Sequence, residues 1–442
     1  MSDFFHKIVS NLYYRSNISW KIFNNNLKSQ YLPLEKLKQL QFEKLIRLIN
    51  FAEKNSPYWN NKFSQTNIKS ANLLSLNDIQ SLPILDKSGL KEIISEDSSN
   101  LRDFAAWRSG GSTGEPVTVY CSNEHINWNK AAVLRSYNWS GYDIGDPRAR
   151  LFAAPTRTGI PEFSLRNRIN YWLANNLFID VSSLDEDDIE KIINLLRKVK
   201  PKFVMGYTSS MLTIARILNS RGQNLGIKDL KIVNSAELLS QKARHDIETG
   251  FGGTLFDHYG TREIGYIADE CALHRGLHVH MEHLLVEIVD KNGKWVKEGD
   301  EGEILITELE NYGMPIIRYR IGDLAIQANH TCSCGRGLQL LQNISGRITD
   351  IIKLPNGKQI SGLLFPHIFK DFPILEYQII QHSLNNLDVK LILESNISEE
   401  KKSEIISSIC NILPSIEVQV SYVNKIEKSR NGKQHCVISE IT

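Results

Sequence analysis

Between Arg108 and Pro116, the stretch RSGGSTGEP gathers the kinds of residue that can surround an anion. Gly110, Gly111 and Gly114 allow positive φ and close backbone approach, while Ser109, Ser112 and Thr113 add hydroxyls to bare N–H groups. A loop of this kind, running into the alternating VTVY, can hold a phosphate. It is not the P-loop, in which GxxxxGK is followed by Ser or Thr and opens a helix; here Glu115 and Pro116 stand in that place. By itself the stretch reads more plainly as a glycine-rich turn.

Other segments carry polar side chains beside glycines. HYGTREIG sets Tyr259, Gly260, Thr261 and Glu263 after the strand-like TLFD, RYRIGD ends on Asp323, and SRNGKQH places Lys433 after an Asn-Gly turn. Taken singly, a Lys near a chain end is a solvated charge and a Glu in such a loop is a loop residue. ECALHRGLHVH offers Cys271, His274, His278 and His280, and HTCSCGR offers Cys332 and Cys334. Three cysteines and a histidine make a common structural zinc site, although Cys-x-Cys is tighter than the usual spacing. Free buried cysteines are an equal reading of the same residues. Cys121, Cys410 and Cys436 have no such companions.

These residues need elements to position them. At 442 residues, the chain is long enough for two or three domains, or for one large domain and a smaller one. An apolar fraction of 41% supports a real core, and a net charge of +2 gives no reason to expect nucleic acid. Six cysteines in this length do not make a disulfide scaffold. No apolar run of about 20 residues is present for a membrane helix. The start, MSDFFHKIVSNLYYRSNISWKIF, lacks the pattern of a secretory signal, so a cytoplasmic setting is expected. Its aromatics interleave with Lys7, Arg15 and Lys21, and a helix packed on its own domain is expected there in preference to a peripheral membrane contact.

Residues 1–100 read as mainly helical; Leu34, Leu37, Leu40, Phe42, Leu45, Leu48 and Phe51 recur at three- and four-residue spacings, and Pro57 stops that helix. From about 105 to 345 strands alternate with helices: RARLFAA then DEDDIEKIINLLRKV, KFVMGY then SSMLTIARILNS, KIVNSAELLS then QKARHDIETGF. That alternation argues for an α/β fold with a largely parallel sheet, whose ligands collect at the carboxyl ends of its strands. VEIVDKNGKWV and GEILIT then read as antiparallel strands, and a small α+β unit follows a boundary between Gly346 and Asp350.

In this order, FAEKNSPYW, RSGGSTGEP, SAELL, YGTREIG, RYRIGD, GRITD and RNGK resemble the adenylate-forming superfamily. More closely, they resemble its branch of phenylacetate–CoA ligases and capsular-polysaccharide adenylate enzymes, over nearly the whole chain. The resemblance implies an α/β fold in which a large multi-sheet N-terminal domain, 1–346, binds ATP and carboxylate. A small mobile α+β C-terminal domain, 347–442, then carries a catalytic Lys433. It also implies an ATP-dependent ligase that joins a small carboxylic acid to AMP, releases pyrophosphate, and passes the acyl group to a nucleophile. In that reading Ser109, Gly110, Gly111, Ser112, Thr113 and Gly114 hold the pyrophosphate end of ATP. Thr261 touches the α-phosphate, Glu263 holds Mg²⁺, and Lys433 neutralises charge between carboxylate and α-phosphate. Asp323 takes the ribose with Arg347 close by; Ser235, Ala236 and Glu237 lie along the adenine, with Tyr259 and Gly260 completing the cofactor site. Tyr207, Gly260 and His280 are expected to face the substrate.

The same resemblance favours zinc at Cys271, His278, Cys332 and Cys334, with His274 as the alternative nitrogen ligand. Four protein ligands leave no open position, so the metal would be structural. Two departures stand out. The hinge position holds Thr349 followed by Asp350, where relatives commonly carry Asp or Lys, and Glu115 replaces the Lys that many carry in the phosphate loop. The acyl acceptor, coenzyme A or an amine or hydroxyl as on a sugar, is left open by the sequence, as is homodimerisation. A non-catalytic nucleotide- or zinc-binding homologue is the alternative, against which stand Lys433, Glu263 and Asp323.

Overall fold

The computed structural model describes residues 17–66, 73–96, 101–108, 117–152, 165–181, 184–347, 351–356, 359–361, 364–369, 372–393, 397–413, 416–426 and 436–441, with Ile8, Val9 and Leu12. The described leading residues include the α-helices α1 (Ile18–Ser29), α2 (Leu34–Asn55), α3 (Pro57–Thr66) and α4 (Lys87–Glu96). Of the apolar residues spaced along α2, Leu37, Leu45 and Leu48 are buried, together with Ile49 and Ala52, whereas Leu40, Phe42 and Phe51 are half-buried and Leu34 is exposed. Pro57 does more than end that helix. It is the first residue of α3, where its missing N–H costs nothing. Strands β1 (Ala105–Arg108) and β2 (Thr118–Cys121) pair antiparallel on either side of the glycine-rich stretch in sequence. Ser122 then caps α5 (Asn123–Trp139), its hydroxyl accepting from His125 N at 3.2 Å.

The three expected strand–helix pairs build a five-stranded parallel sheet. Its strands are β3 (Arg148–Phe152), β4 (Asn176–Asp180), β5 (Phe203–Tyr207), β6 (Lys231–Ser235) and β7 (Thr254–Phe256), in the order β4-β3-β5-β6-β7. Around it run α6 (Leu165–Leu173), α7 (Glu186–Val199), α8 (Thr208–Ser220) and α9 (Gln241–Phe251). Strand β4 is an addition to the sequence reading. The helix before it, α6, is likewise an addition. Helix α7 is signed at both ends, with Glu186, Asp187 and Asp188 in its first turn and Arg197 and Lys198 in its last, matching the helix dipole.

A seven-stranded antiparallel sheet follows: β8 (His258–Thr261), β9 (Gly265–Glu270), β10 (Leu277–Val279), β11 (Leu284–Val289), β12 (Glu301–Glu308), β13 (Tyr319–Gln327) and β14 (Leu340–Arg347). Their order is β11-β12-β13-β14-β10-β9-β8. It shares one core with the leading helices, in which Trp59, Leu45, Ile304 and Tyr319 meet. The C-terminal unit has a separate core of Ile352, Phe365, Ile379, Leu391, Ile405 and Val437. It comprises a ribbon, β15 (Ile351–Lys353) and β16 (Gln359–Ser361), then α10 (Leu364–Phe369), β17 (Ile374–Ser383), β18 (Asn386–Leu393), α11 (Glu399–Ile412), β19 (Glu417–Tyr422) and β20 (Val437–Ser439). The larger sheet runs β19-β18-β17-β20. One joint to the parallel-sheet region is Arg216 on α8, which donates from Nη2 to Leu375 O at 2.7 Å and stands 3.7 Å from Glu376. Among the described residues, no helix is long and apolar enough to cross a membrane.

Candidate active site

The carboxyl ends of β5 and β6 open onto one edge, as expected for ligand sites of parallel sheets. β5 ends at Tyr207, which is buried, with its ring edge-on to Phe152 at 5.0 Å. Burial raises the Tyr207 phenol pKa, and Arg262, Glu237 and Arg150 are charged neighbours that act on it. Helix α8 starts at once, and its first turn is satisfied from the next loop. Glu237 accepts from Ser209 N at 2.6 Å and from Ser209 Oγ at 3.0 Å, closing helix N–H groups with a negative charge at the positive end of the dipole. Between Ser235 at the end of β6 and Glu237, Ala236 adopts a left-handed φ of 68°. A non-glycine residue held there marks a turn fixed by its surroundings.

Across the edge, β8 presents Tyr259, Gly260 and Thr261. The Tyr259 hydroxyl donates to Asp323 Oδ2 at 2.8 Å, joining two segments 64 residues apart. In the β13–β14 ladder Asp323 lies directly opposite Arg347. Thr261 Oγ1 accepts from Ile264 N at 3.2 Å, closing the turn that carries the half-buried Glu263. Glu263 and Asp323 share a neighbourhood: after burial, their charges and that of Asp86 are what raise the Tyr319 phenol pKa. Gly265 closes the β8–β9 turn at φ 92°, and a Cβ there would collide with the Asn129 amide, which donates to Ile264 O at 3.0 Å. Ser109, Gly110, Gly111, Ser112, Thr113, Gly114, Thr349, Asp350 and Lys433 lie outside the described residues, and Arg347 is placed by its backbone alone.

Behind this edge runs a buried chain of polar groups that sequence reading missed. Arg135, fully buried on α5, grips both oxygens of Glu282 at 2.6 and 2.8 Å and reaches His280 Nδ1 at 2.6 Å. His280 Nε2 meets Asp269 Oδ2 at 2.7 Å, and Asp269 Oδ1 meets His258 Nδ1 at 2.8 Å. Burial alone would raise the Asp269 carboxyl, but its bonds to His258 and His280 outweigh it and hold the pKa far below the usual range. The expected substrate contact by His280 is corrected here. Its ring is fully enclosed, stacked on Trp139 at 5.4 Å, and it reaches the edge only through Asp269 and His258.

Cys271, His278, Cys332 and Cys334 converge, their ligand atoms all within 4.8 Å of one another. Cys271 and Cys332 sulfurs stand 3.8 Å apart, and Cys334 Sγ is 3.4 Å from His278 Nε2. Four such atoms around one point suit tetrahedral zinc, with bonds of about 2.0–2.3 Å. His274, the alternative nitrogen, turns elsewhere: at φ 50° its Nδ1 meets Glu270 Oε2 at 2.9 Å.

Residues 352–440 match the CapK C-terminal domain family. The chain is 26% identical over 430 residues to the phenylacetate-coenzyme A ligase of Escherichia coli, covering 92% of this chain and 95% of that one. To the enzyme of that name from Thermus thermophilus it is 25% identical over 408 residues, covering 85% and 86%. Protein CapK of Staphylococcus aureus is 22% identical over 449 residues, covering 96% of each. Among solved structures, 2-hydroxyisobutyryl-CoA ligase in the postadenylation state with 2-HIB-AMP superimposes with a TM-score of 0.73 at 19% identity, over 93% of this chain and 91% of that one. The same ligase in its thioesterification state, with 2-HIB-AMP and CoA, gives 0.60 at 18% identity over 93% and 91%.

Proposed function

We propose, for a chain with the fold of the adenylate-forming CoA ligases and a resemblance to phenylacetate–CoA ligases and CapK over most of its length, an ATP-dependent carboxylate ligase. It would convert a small carboxylic acid and ATP to acyl-AMP and pyrophosphate, then transfer the acyl group to a nucleophile. The observation that carries this reading is the Tyr259–Asp323 bond at 2.8 Å, which brings two expected nucleotide segments onto one edge. There Asp323, with Arg347 opposite in the ladder, can take ribose hydroxyls. The fixed turn Ser235–Ala236–Glu237 can lie along a base, and Thr261 can meet the α-phosphate.

A half-buried Glu263 carboxylate is a hard ligand that fits Mg²⁺, which when bound would neutralise charge on the phosphates. The segment 109–114 and Lys433 are assigned by resemblance to the pyrophosphate end and to the reacting α-phosphate. Zinc at the Cys271–His278–Cys332–Cys334 cluster would be structural, tying the β9–β10 turn to the β13–β14 turn. Coenzyme A is the favoured acceptor, because the ligases this chain resembles are named for it; an amine or hydroxyl acceptor fits the CapK resemblance.

The test is carboxylate-dependent exchange of labelled pyrophosphate into ATP across aryl, aliphatic and hydroxy acids, first without coenzyme A. Exchange with one class establishes adenylation and names the acid; coenzyme A, amines and sugars added afterwards find the acceptor. Lys433→Ala is expected to abolish exchange while leaving the thermal transition in place. Full exchange in that variant overturns the assignment of Lys433, and no exchange with any acid overturns the ligase reading.

A further inference from the structure

Resting on the assignment of 109–114 to the pyrophosphate end of ATP, we infer that Asn311 and Glu308 are positioning residues for that stretch. They fix the base of the β1–β2 pair, between whose strands it runs in sequence. Among the described residues that pair forms a sheet of its own, and a lone two-stranded ribbon is marginal in water. Its place on the domain has to be set from outside, and the segment after β12 sets it. Asn311 is fully buried there, and its carboxamide has two donors and an oxygen that accepts twice. All four are used. Nδ2 donates to Tyr120 O at 3.2 Å and to Glu308 Oε2 at 2.7 Å, while Oδ1 accepts from Ser122 N at 3.2 Å and from Gly313 N at 3.3 Å.

Tyr120 O and Ser122 N flank Cys121 and leave the strand on the same side, so Asn311 bonds to β2 as a neighbouring strand's peptide group would. Gly313 lets the segment come this close. A Cβ on it would stand 3.0 Å from Phe104 Cγ, next to the start of β1, and 3.1 Å from Ser122 N. Glu308 holds Asn311 from behind and reaches the other strand as well. Its Oε1 is 3.4 Å from His125 Nδ1, and the His125 ring packs edge-on to Trp107 of β1 with centroids 5.1 Å apart. Burial pushes the Glu308 pKa up to about 8 and the His125 pKa down to about 4, so at neutral pH an uncharged carboxyl faces an uncharged ring. The arrangement therefore uses hydrogen-bonding shape at position 308 rather than charge, and glutamine has that shape.

The experiment compares calorimetric binding of ATP with Mg²⁺ and of AMP, which lacks the phosphates that 109–114 is assigned to hold, alongside pyrophosphate exchange. In Asn311→Ala the Kd for ATP is expected to rise by at least about tenfold while that for AMP stays within about twofold. The KM for ATP should rise with it, and the KM for the acid should not. Glu308→Leu should do the same. Glu308→Gln, which still accepts from Asn311 and can donate to His125, should keep the wild-type ratio of the two Kd values. Each variant is measured below its thermal midpoint, and Glu308→Leu against Glu308→Gln carries the test should Asn311→Ala not fold. A merely structural role would lower the midpoint and leave the ATP-to-AMP ratio alone. That result, or equal ratios in Glu308→Leu and Glu308→Gln, overturns the inference. No exchange with any acid overturns the ligase reading on its own, and the two Kd values still decide this one. A wild type that binds ATP no more tightly than AMP overturns it together with the assignment of 109–114.

Discussion

Replacing Arg135 by Met tests the buried chain behind the site. The guanidinium is fully buried and its bidentate grip on Glu282 is the principal compensation for a carboxylate that is itself almost wholly enclosed. Burial works to raise the Glu282 carboxyl, but the Arg135 charge, its hydrogen bonds and the Ser29 hydroxyl at 2.6 Å outweigh it and hold the pKa below the ordinary value. Two unit charges about 4 Å apart at an effective dielectric of about 20 attract by ~4 kcal/mol, and breaking one partner of a buried pair costs about 3–5 kcal/mol. At ~2–4 °C per kcal/mol for a unit of this size class, the thermal midpoint should fall by about 6–20 °C.

The loss should also depend on pH. In wild type the lowered Glu282 pKa contributes stability that is present above the unfolded carboxylate value of about 4.3 and is lost as pH falls through the folded pKa. In Arg135→Met, desolvation prevails, so the folded pKa rises above the unfolded one and stability is lost as pH rises. The gap between the two proteins should therefore widen from about pH 5 to about pH 8. Urea unfolding of both across that range measures it, and Arg135→Met with Glu282→Leu should lose less than the single variant. A gap under about 1 kcal/mol, or one indifferent to pH, refutes the reasoning.

The zinc reading predicts about one metal per chain by elemental analysis, lost in Cys332→Ser and Cys334→Ser together with thermal stability; a stable wild type without bound metal would refute it. Glu308 is fully buried, takes Asn311 Nδ2 at 2.7 Å, and has its pKa pushed up to about 8 by burial. A raised carboxyl costs stability as pH climbs from the unfolded value toward 8, ~3 kcal/mol by neutral pH, so Glu308→Gln should be the more stable protein at pH 8 and little different at pH 5. Denaturant titrations at the two pH values decide it.

What the sequence made legible were features written in neighbouring residues. Strand–helix pairs such as KFVMGY with SSMLTIARILNS alternate apolar residues within ten or twenty positions, so β5 and α8 follow directly. The four-member Cys/His cluster was half legible. The residue types were plain and the resemblance favoured His278, but the reason His274 stays out, a left-handed backbone that turns it to Glu270, is visible only in the fold. The Arg135–His280–Asp269–His258 chain left no local mark. Its members sit on one helix, on β8 and β9, and just past the end of β10, and a single buried charge in an apolar pattern has no periodicity of its own. That is also why His280 was read as a substrate contact. Spacing does not reveal which side of a strand is closed by a tryptophan 141 residues earlier.

Helix α8 ties two events to one rod. Its first turn is bonded to Glu237 through Ser209, and Arg216, two turns on and about 10 Å along the axis, projects from the same side to hold the C-terminal unit. A tilt of that rod produced by a nucleotide settling beside Glu237 would be delivered to Leu375 and Glu376 as a lever arm. The far contact combines the short bond to Leu375 O with a partly solvated charged pair worth about 0.2–1 kcal/mol.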